Sequence, residues 1–220
     1  MGRDYHQPFF FLARLNSAIQ ALRNITWKLQ SEKSKISDFQ AWYDGVQATM
    51  RRDPILRSFC EARNVVVKQE GLESKSNFRS GLFRGRRMKL GFGPNLPLMT
   101  ESATELRRLR ASSFAKLILG SDRSAIGEQL GVERRWIVEK LGEEEVLSLC
   151  ILTLNKLGEV VSRAHARCDS NYCCDHILCD EYDKQNFQVL LETDLDPSLS
   201  KKWGWDEAVE SLPWLFNRAP

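Results

Sequence analysis

Apolar residues recur every three or four positions at Leu12, Leu15, Ile19, Leu22, Ile25 and Leu29, the spacing that lays one stripe along a helix. This predicts a first helix over about residues 8–33. Ile36, Phe39, Trp42, Tyr43, Val46 and Met50 repeat the pattern and predict a second helix to about residue 52, with Ser37 as its N-cap. Only a few polar residues link the two, so they are expected to be antiparallel neighbours. Asp53-Pro54 then opens a third helix, because aspartate caps and proline suits the first turn. That helix closes near Gly71.

On the third helix, at about 100° per residue, Leu56, Phe59, Cys60, Val66 and Val67 fall within one half, with Arg63 near their centre. Lys68 lies about 140° round from Arg63 by the same geometry. The pattern breaks over 72–100, where Gly81, Gly85, Gly91, Gly93, Pro94 and Pro97 punctuate short apolar pieces. Arg87 and Lys89 alternate there with Met88, Leu90 and Phe92, which predicts a strand in a hairpin turning at Gly85. Helicity returns with Leu106, Leu109 and Phe114, and again from Ser124. Glu143-Glu144-Glu145 then give a negative first turn to a long helix ending near His165.

The fold expected is mainly α. It is a single helical-bundle domain over 1–220 of roughly four to six helices, with a small β-hairpin-like basic insertion at 72–100. An extension rich in Cys, His and Trp follows at 168–220.

At 220 residues the chain can bury a substantial core, and its 42% apolar and 28% charged content is ordinary for a globular protein. No apolar run approaches the roughly 20 residues of a membrane helix. Phe9-Phe10-Phe11-Leu12 is followed by Arg14 and Asn16 rather than a small-residue cleavage site, so no secretory signal is expected. Six cysteines without a signal then imply reduced thiols in the cytoplasm. The net charge of +3 hides an asymmetry: residues 74–116 carry 10 basic and 2 acidic side chains, and 117–220 carry 11 and 19. Such a division either attracts an anion at the middle of the chain or is compensated within the molecule.

The Phe39-Gln40-Ala41-Trp42-Tyr43 patch, Asp53-Pro54 and Glu61-Ala62-Arg63-Asn64 together resemble the HEPN superfamily (higher eukaryotes and prokaryotes nucleotide-binding) of helical bundles. Arg135-Trp136-Ile137 and Glu145-Val146-Leu147-Ser148-Leu149-Cys150 look like the later part of the same bundle. The resemblance covers 8–71 and 133–167. It implies a homodimer and, in active members, a metal-independent ribonuclease site in which histidine follows the arginine by a helical turn or more. Arg63 and Asn64 match that motif, whereas Lys68 stands where histidine would. An ordinary lysine is protonated at neutral pH and is a poor general base, so the motif reads as catalytically degenerate. Two accounts of Arg63 stay open. It is either a buried structural arginine or, with Asn64 and Lys68, a ligand for a nucleotide or phosphate.

The insertion interleaves Arg79, Arg84, Arg86, Arg87 and Lys89 with Phe78, Phe83 and Phe92, cations and stacking rings that suit single-stranded RNA. The alternative is a hairpin whose rings pack on the body and whose charges compensate the acidic C-terminal half. Residues 124–141 fit a helix-turn-helix, with Gly131 in the turn, against two ordinary bundle helices. His165, Cys168, His176 and Cys179 form two His/Cys pairs that could bind zinc, with ordinary thiols the favoured reading; no metal or other cofactor is expected. The tryptophan-rich end, from Trp203 to Phe216, is expected to pack on its own domain. The function read from the chain is a non-enzymatic binding or regulatory protein engaging RNA, a nucleotide or a protein partner. A toxin–antitoxin or defence context is implied by the resemblance alone. The alternatives are a ribonuclease using Arg63 and Asn64, and a DNA-binding regulator acting through 124–141.

Overall fold

Along helix α1 (Pro8–Ser31) the buried side chains are Phe11, Leu15, Ile19, Leu22, Thr26 and Leu29, the stripe that a 3.6-residue period draws. A computed structural model of the chain describes residues 4–68, 72–92, 96–119, 127–168, 184–203 and 205. It divides into two compact units. A helical unit takes Ala13–Lys75 and Trp136–Tyr182, and a sheet unit takes Met1–Leu12, Ser76–Arg135 and Asp183–Pro220.

In the helical unit, a short 3-10 turn at Lys33–Lys35 leads to α2 (Phe39–Arg52), which buries Tyr43 and Val46. Ser37 does not cap this helix as expected. Its hydroxyl donates to the Arg167 carbonyl at 3.0 Å, and Asp38 enters the helix in the left-handed region at φ 49°. Helix α3 (Pro54–Lys68) starts as its sequence dictates. The Asp53 Oδ1 accepts from the N–H groups of Ile55 and Leu56 at 3.0 and 3.1 Å, filling two of the orphan donors of the first turn. The other oxygen, Oδ2, meets Lys156 Nζ at 2.5 Å on the long helix α6 (Val146–His165). Glu145 caps α6 in turn, accepting from the Ser148 N–H at 3.0 Å. Leu29, Ile36, Tyr43, Val46, Val160 and Ala164 close one core of this unit. Each buried aliphatic side chain there stabilises by about 1.5–3 kcal/mol relative to exposure.

In the sheet unit, β1 (Ser74–Arg84) and β2 (Arg87–Phe92) form the expected antiparallel hairpin, with Gly85 at φ +53° in the turn. A bulge between Leu82 and Phe83 shifts the register, pairing Leu82 with Leu90 but Phe83 with Met88. Helices α4 (Ser102–Ala111) and α5 (Ser113–Leu119) follow, then β3 (Gln129–Val138). The described chain ends with α7 (Lys184–Gln188), β4 (Val189–Leu191), α8 (Glu192–Leu195) and α9 (Ser198–Lys202). The strand order is β2-β1-β3-β4, with β3 and β4 antiparallel. Phe78 and Leu82 of β1 and Leu130 and Val132 of β3 pack with Leu106, Leu109, Ala115 and Leu119 of α4 and α5. Phe83 packs with Val189 and Leu191 in a second, smaller cluster.

The expectation of a mainly α bundle is overturned. Among the described residues the chain is mixed α/β, with a four-stranded sheet as well as helices. The difference lies at β3, a strand where a helix is expected. Leu130, Val132, Arg134, Trp136 and Val138 are all buried, a period of two. A charged residue at the third of those positions hides the alternation. Gly131 looked like a turn residue, yet it lies inside the strand. A Cβ there would come within 2.7 Å of both Phe83 and Leu191, so close packing of neighbouring rings and branches demands glycine.

Candidate functional site

Arg63 does not sit at the buried centre of α3. Ala62 is the fully buried residue, and Arg63 is half-buried, its Nη1 reaching the adjacent Asn64 Oδ1 at 3.3 Å on an exposed surface. The site helix therefore turns alanine to the core. The side chain of Lys68 lies outside the described residues. The buried arginine of this fold is Arg134, on β3 and fully inaccessible. Its guanidinium stacks 4.9 Å from the Phe78 ring centre and donates to the Thr100 carbonyl. Burial lowers its pKa to about 10, with Tyr5 pulling the other way.

The basic hairpin is largely bound into its own unit. Arg86 forms a fork on Asp194, Nη2 to Oδ1 at 2.8 Å and Nη1 to Oδ2 at 3.0 Å, and donates to the Val189 carbonyl at 2.6 Å. Arg79 lies 3.8 Å from Glu133, and Arg84 3.2 Å from Glu128. Arg87 and Lys89 are exposed. Phe78 and Phe83 are buried and unavailable for stacking; Phe92 is half-buried, edge-on to Phe114 at 4.9 Å. Compensation within the fold thus accounts for Arg79, Arg84 and Arg86.

The helix-turn-helix reading fails on the same strand that overturned the bundle. Residues 129–138 are β3, and Trp136 is fully buried rather than presented to a groove. Residues 120–126 lie outside the described residues. Of the proposed zinc ligands, His165 and Cys168 are described, while His176 and Cys179 lie outside the described residues. No cluster of three potential metal ligands occurs among the described residues. Trp203 is buried and its ring lies 5.0 Å from that of Trp205; Trp214 and Phe216 are outside the described residues.

A cavity of about 340 Å³ opens within the helical unit between α1, α2, α3 and α6. Apolar walls come from Ile19, Leu22, Leu56, Phe59 and Leu157. Three arginines line it, Arg23, Arg51 and Arg57, and no carboxylate does. Arg51 reaches Gln47 at 3.3 Å, Arg23 bonds the Thr26 hydroxyl, and Arg57 lies 3.6 Å from an exposed Glu61. Gln30 Nε2 donates to the Tyr43 hydroxyl and the Thr26 carbonyl, each at 3.1 Å. Thr153 also lines the cavity at 1% exposure, and its hydroxyl has no hydrogen-bond partner among the described residues. Helical threonines commonly turn the hydroxyl back to the carbonyl one turn earlier, a bond that Thr153 does not make. None of these residues was singled out as a ligand from the sequence. The faint signal was three arginines on the flanks of helices whose apolar faces meet.

A larger cavity of about 790 Å³ runs along α1 and α6, lined by Ile25, Leu29, Ile36, Val161, His165 and Cys168 among others. Its cations are already paired. Glu32 bridges Lys28 at 2.6 Å and Lys35 at 2.5 Å, and these hydrogen bonds hold its carboxyl down at about 2.

What fold and site define is a mixed α/β chain whose helical unit lines an apolar cavity with three arginines and no carboxylate. The chain belongs to the family of bacteriophage lambda protein ea47, whose family model matches residues 1–186. It is 26% identical over 146 residues to "Protein ea47" of Escherichia phage lambda, a match covering 65% of this chain and 34% of that relative. The chain thus spans about a third of the relative's length. No solved structure matches it. No helix among the described residues is long and apolar enough to cross a membrane.

Proposed function

We propose that the chain is a non-enzymatic binding protein that takes a phosphate-bearing ligand in the cavity of its helical unit. The observation that carries this is the lining: three guanidinium groups over apolar walls, with no carboxylate among the lining side chains. Guanidinium groups match phosphate oxygens in geometry as well as charge. Binding is favoured over catalysis because no histidine or carboxylate that could move a proton lines the cavity among the described residues. The reading keeps the phosphate chemistry expected of Arg63 and Asn64 but moves it to Arg23, Arg51 and Arg57. The same proposal has the protein act in the cytoplasm and, by the HEPN resemblance, as a homodimer, which light scattering on the purified chain checks. Calorimetric titration of the full chain with pyrophosphate at low salt tests the ligand class. Binding should weaken as salt rises and disappear in Arg51→Glu/Arg57→Glu; binding unchanged in that variant removes the reading.

A further inference from the structure

We propose that the outer edge of β2 is a docking site for an extended acidic peptide, which adds to the sheet as a further strand; this stands apart from the cavity reading. The order β2-β1-β3-β4 gives the sheet two edges, and an edge strand keeps unpaired N–H and C=O groups along its outer side. The fold ties up one of them. At β4, three residues long, Arg86 takes the Val189 carbonyl at 2.6 Å and Asp194 takes the Leu191 N–H at 2.9 Å. β2 is six residues long, with Arg87, Lys89, Leu90 and Gly91 exposed. Among the described residues its backbone makes no bond beyond its pairing with β1.

The side chains along this edge say what the peptide carries. Leu90 pairs with Leu82, which packs with α4 and α5, and Phe92 shares its face of the strand. Leu90 is 52% exposed, and Phe92 meets Phe114 of α5 edge-on at 4.9 Å. Leu117, one turn on from Phe114, is 83% exposed. Open apolar surface therefore continues from the strand edge to α5, a place for alternate apolar side chains of an added strand. Charge sets the rest. No acidic residue occurs between Ser74 and Phe92. Arg79, Arg84 and Arg86 have carboxylate partners, whereas Arg87 and Lys89 have none among the described residues. Carboxylates on the incoming strand would complement these two cations. A second copy of β2 would instead set two cationic edges against each other, the device by which charged edges resist pairing with themselves. Single-stranded RNA would meet the cations but has no strand of amides to pair with the edge.

The test is fluorescence anisotropy on the full chain with a labelled peptide of about eight residues that alternates glutamate and valine. Its controls are the same peptide N-methylated at its amides, a lysine–valine peptide and a uridine oligonucleotide of equal length. The glutamate peptide should bind about tenfold tighter than either control peptide. Arg87→Glu/Lys89→Glu should lose that advantage while the urea midpoint stays where it was. Hydrogen exchange on the natural chain, which needs no variant, should show β2 amides slowed by the peptide and β4 amides unchanged. No binding of the glutamate peptide overturns the proposal. Equal binding of the N-methylated form does so too, since charge alone would then explain it. Tighter binding of the oligonucleotide, or slowed exchange away from β2, also overturns it. Each of these results leaves the cavity reading as it stands.

Discussion

The two units use arginine in opposite ways. In the sheet unit, Arg86 is locked on Asp194 with side-chain exposures of 11% and 7%, and Arg134 is sunk under Thr100 against Phe78. Carboxylates there serve as internal ties: Glu192 accepts from the Leu130 N–H at 2.9 Å, and Asp194 from the Leu191 N–H at 2.9 Å. In the helical unit, Arg23, Arg51 and Arg57 surround a cavity that no carboxylate lines. A charge with a rigid partner holds structure together, and one without is available to a ligand. The number of basic residues in a stretch says nothing about which case applies. The hairpin is the richer in arginine and the poorer candidate.

The sharpest way to break this contrast is through the buried fork. Arg86→Ala leaves Asp194 charged and enclosed, which should lower stability by about 3–5 kcal/mol, read as a drop in the urea midpoint. A loss below about 1 kcal/mol, the value of an exposed pair, would mean that Arg86 is no more structural than its neighbours.

The next effect is on pH dependence. His6, on the sheet unit, has Nδ1 2.9 Å from the Ser102 hydroxyl and an Nε2 shielded from solvent, although the residue as a whole is half-buried. Burial first, and the positive charge of Arg134 second, lower its pKa to about 3. An unfolded histidine takes up its proton near pH 6.5, so between that value and about 3 the unfolded chain holds more protons than the folded one. Stability should therefore fall as pH drops through this window, with a limiting slope of about 1.4 kcal/mol per pH unit, and be indifferent to His6 above it. His6→Asn should flatten that part of the profile in denaturation midpoints taken from pH 7 to 4; an unchanged profile would mean that His6 protonates freely in the fold.

A smaller loss belongs to the helical unit's own structural pair. For Asp53, burial would raise the pKa, but the hydrogen bonds from Lys156 and from the Leu56 and Ile55 N–H groups outweigh it and leave the carboxyl lowered. Asp53→Ala removes a helix cap along with the ion pair and should cost about 1–2 kcal/mol at pH 7. The part due to ionisation disappears as acid protonates the carboxyl, so the two proteins should converge in stability at low pH. The smallest effects are expected where the account places a ligand and no structural tie. Arg51→Glu and Arg57→Glu should each move stability by less than about 0.5 kcal/mol, and Arg63→Ala should alter neither stability nor ligand binding.

Much of the helical unit was legible in the sequence. The apolar stripe of α1 and the Asp53-Pro54 start of α3 are local signals, and local chemistry decided them; the glutamates expected in the first turn of α6 instead precede it, with Glu145 as its N-cap. The hairpin at Gly85 was legible for the same reason. β3 was not, because Arg134 occupies a position that alternation reserves for apolar residues, and only the Phe78 ring and the Thr100 carbonyl explain it. Arg63 drew attention by its place on a helical wheel, but the wheel cannot say which part of a face a neighbouring helix covers. The cavity was hidden more thoroughly. Its residues come from four helices, and the vacant partner of Thr153 is a property of packing that no spacing reveals.

The central claim is that the cavity of the helical unit holds a phosphate-bearing ligand through the arginines that line it. Its most direct test is pyrophosphate binding by the natural chain and by Arg51→Glu/Arg57→Glu, measured side by side with their urea midpoints. The account predicts salt-sensitive binding that the double variant loses while its midpoint stays within about 0.5 kcal/mol of the original. Equal binding by both proteins, or loss of binding only together with loss of folding, would contradict it.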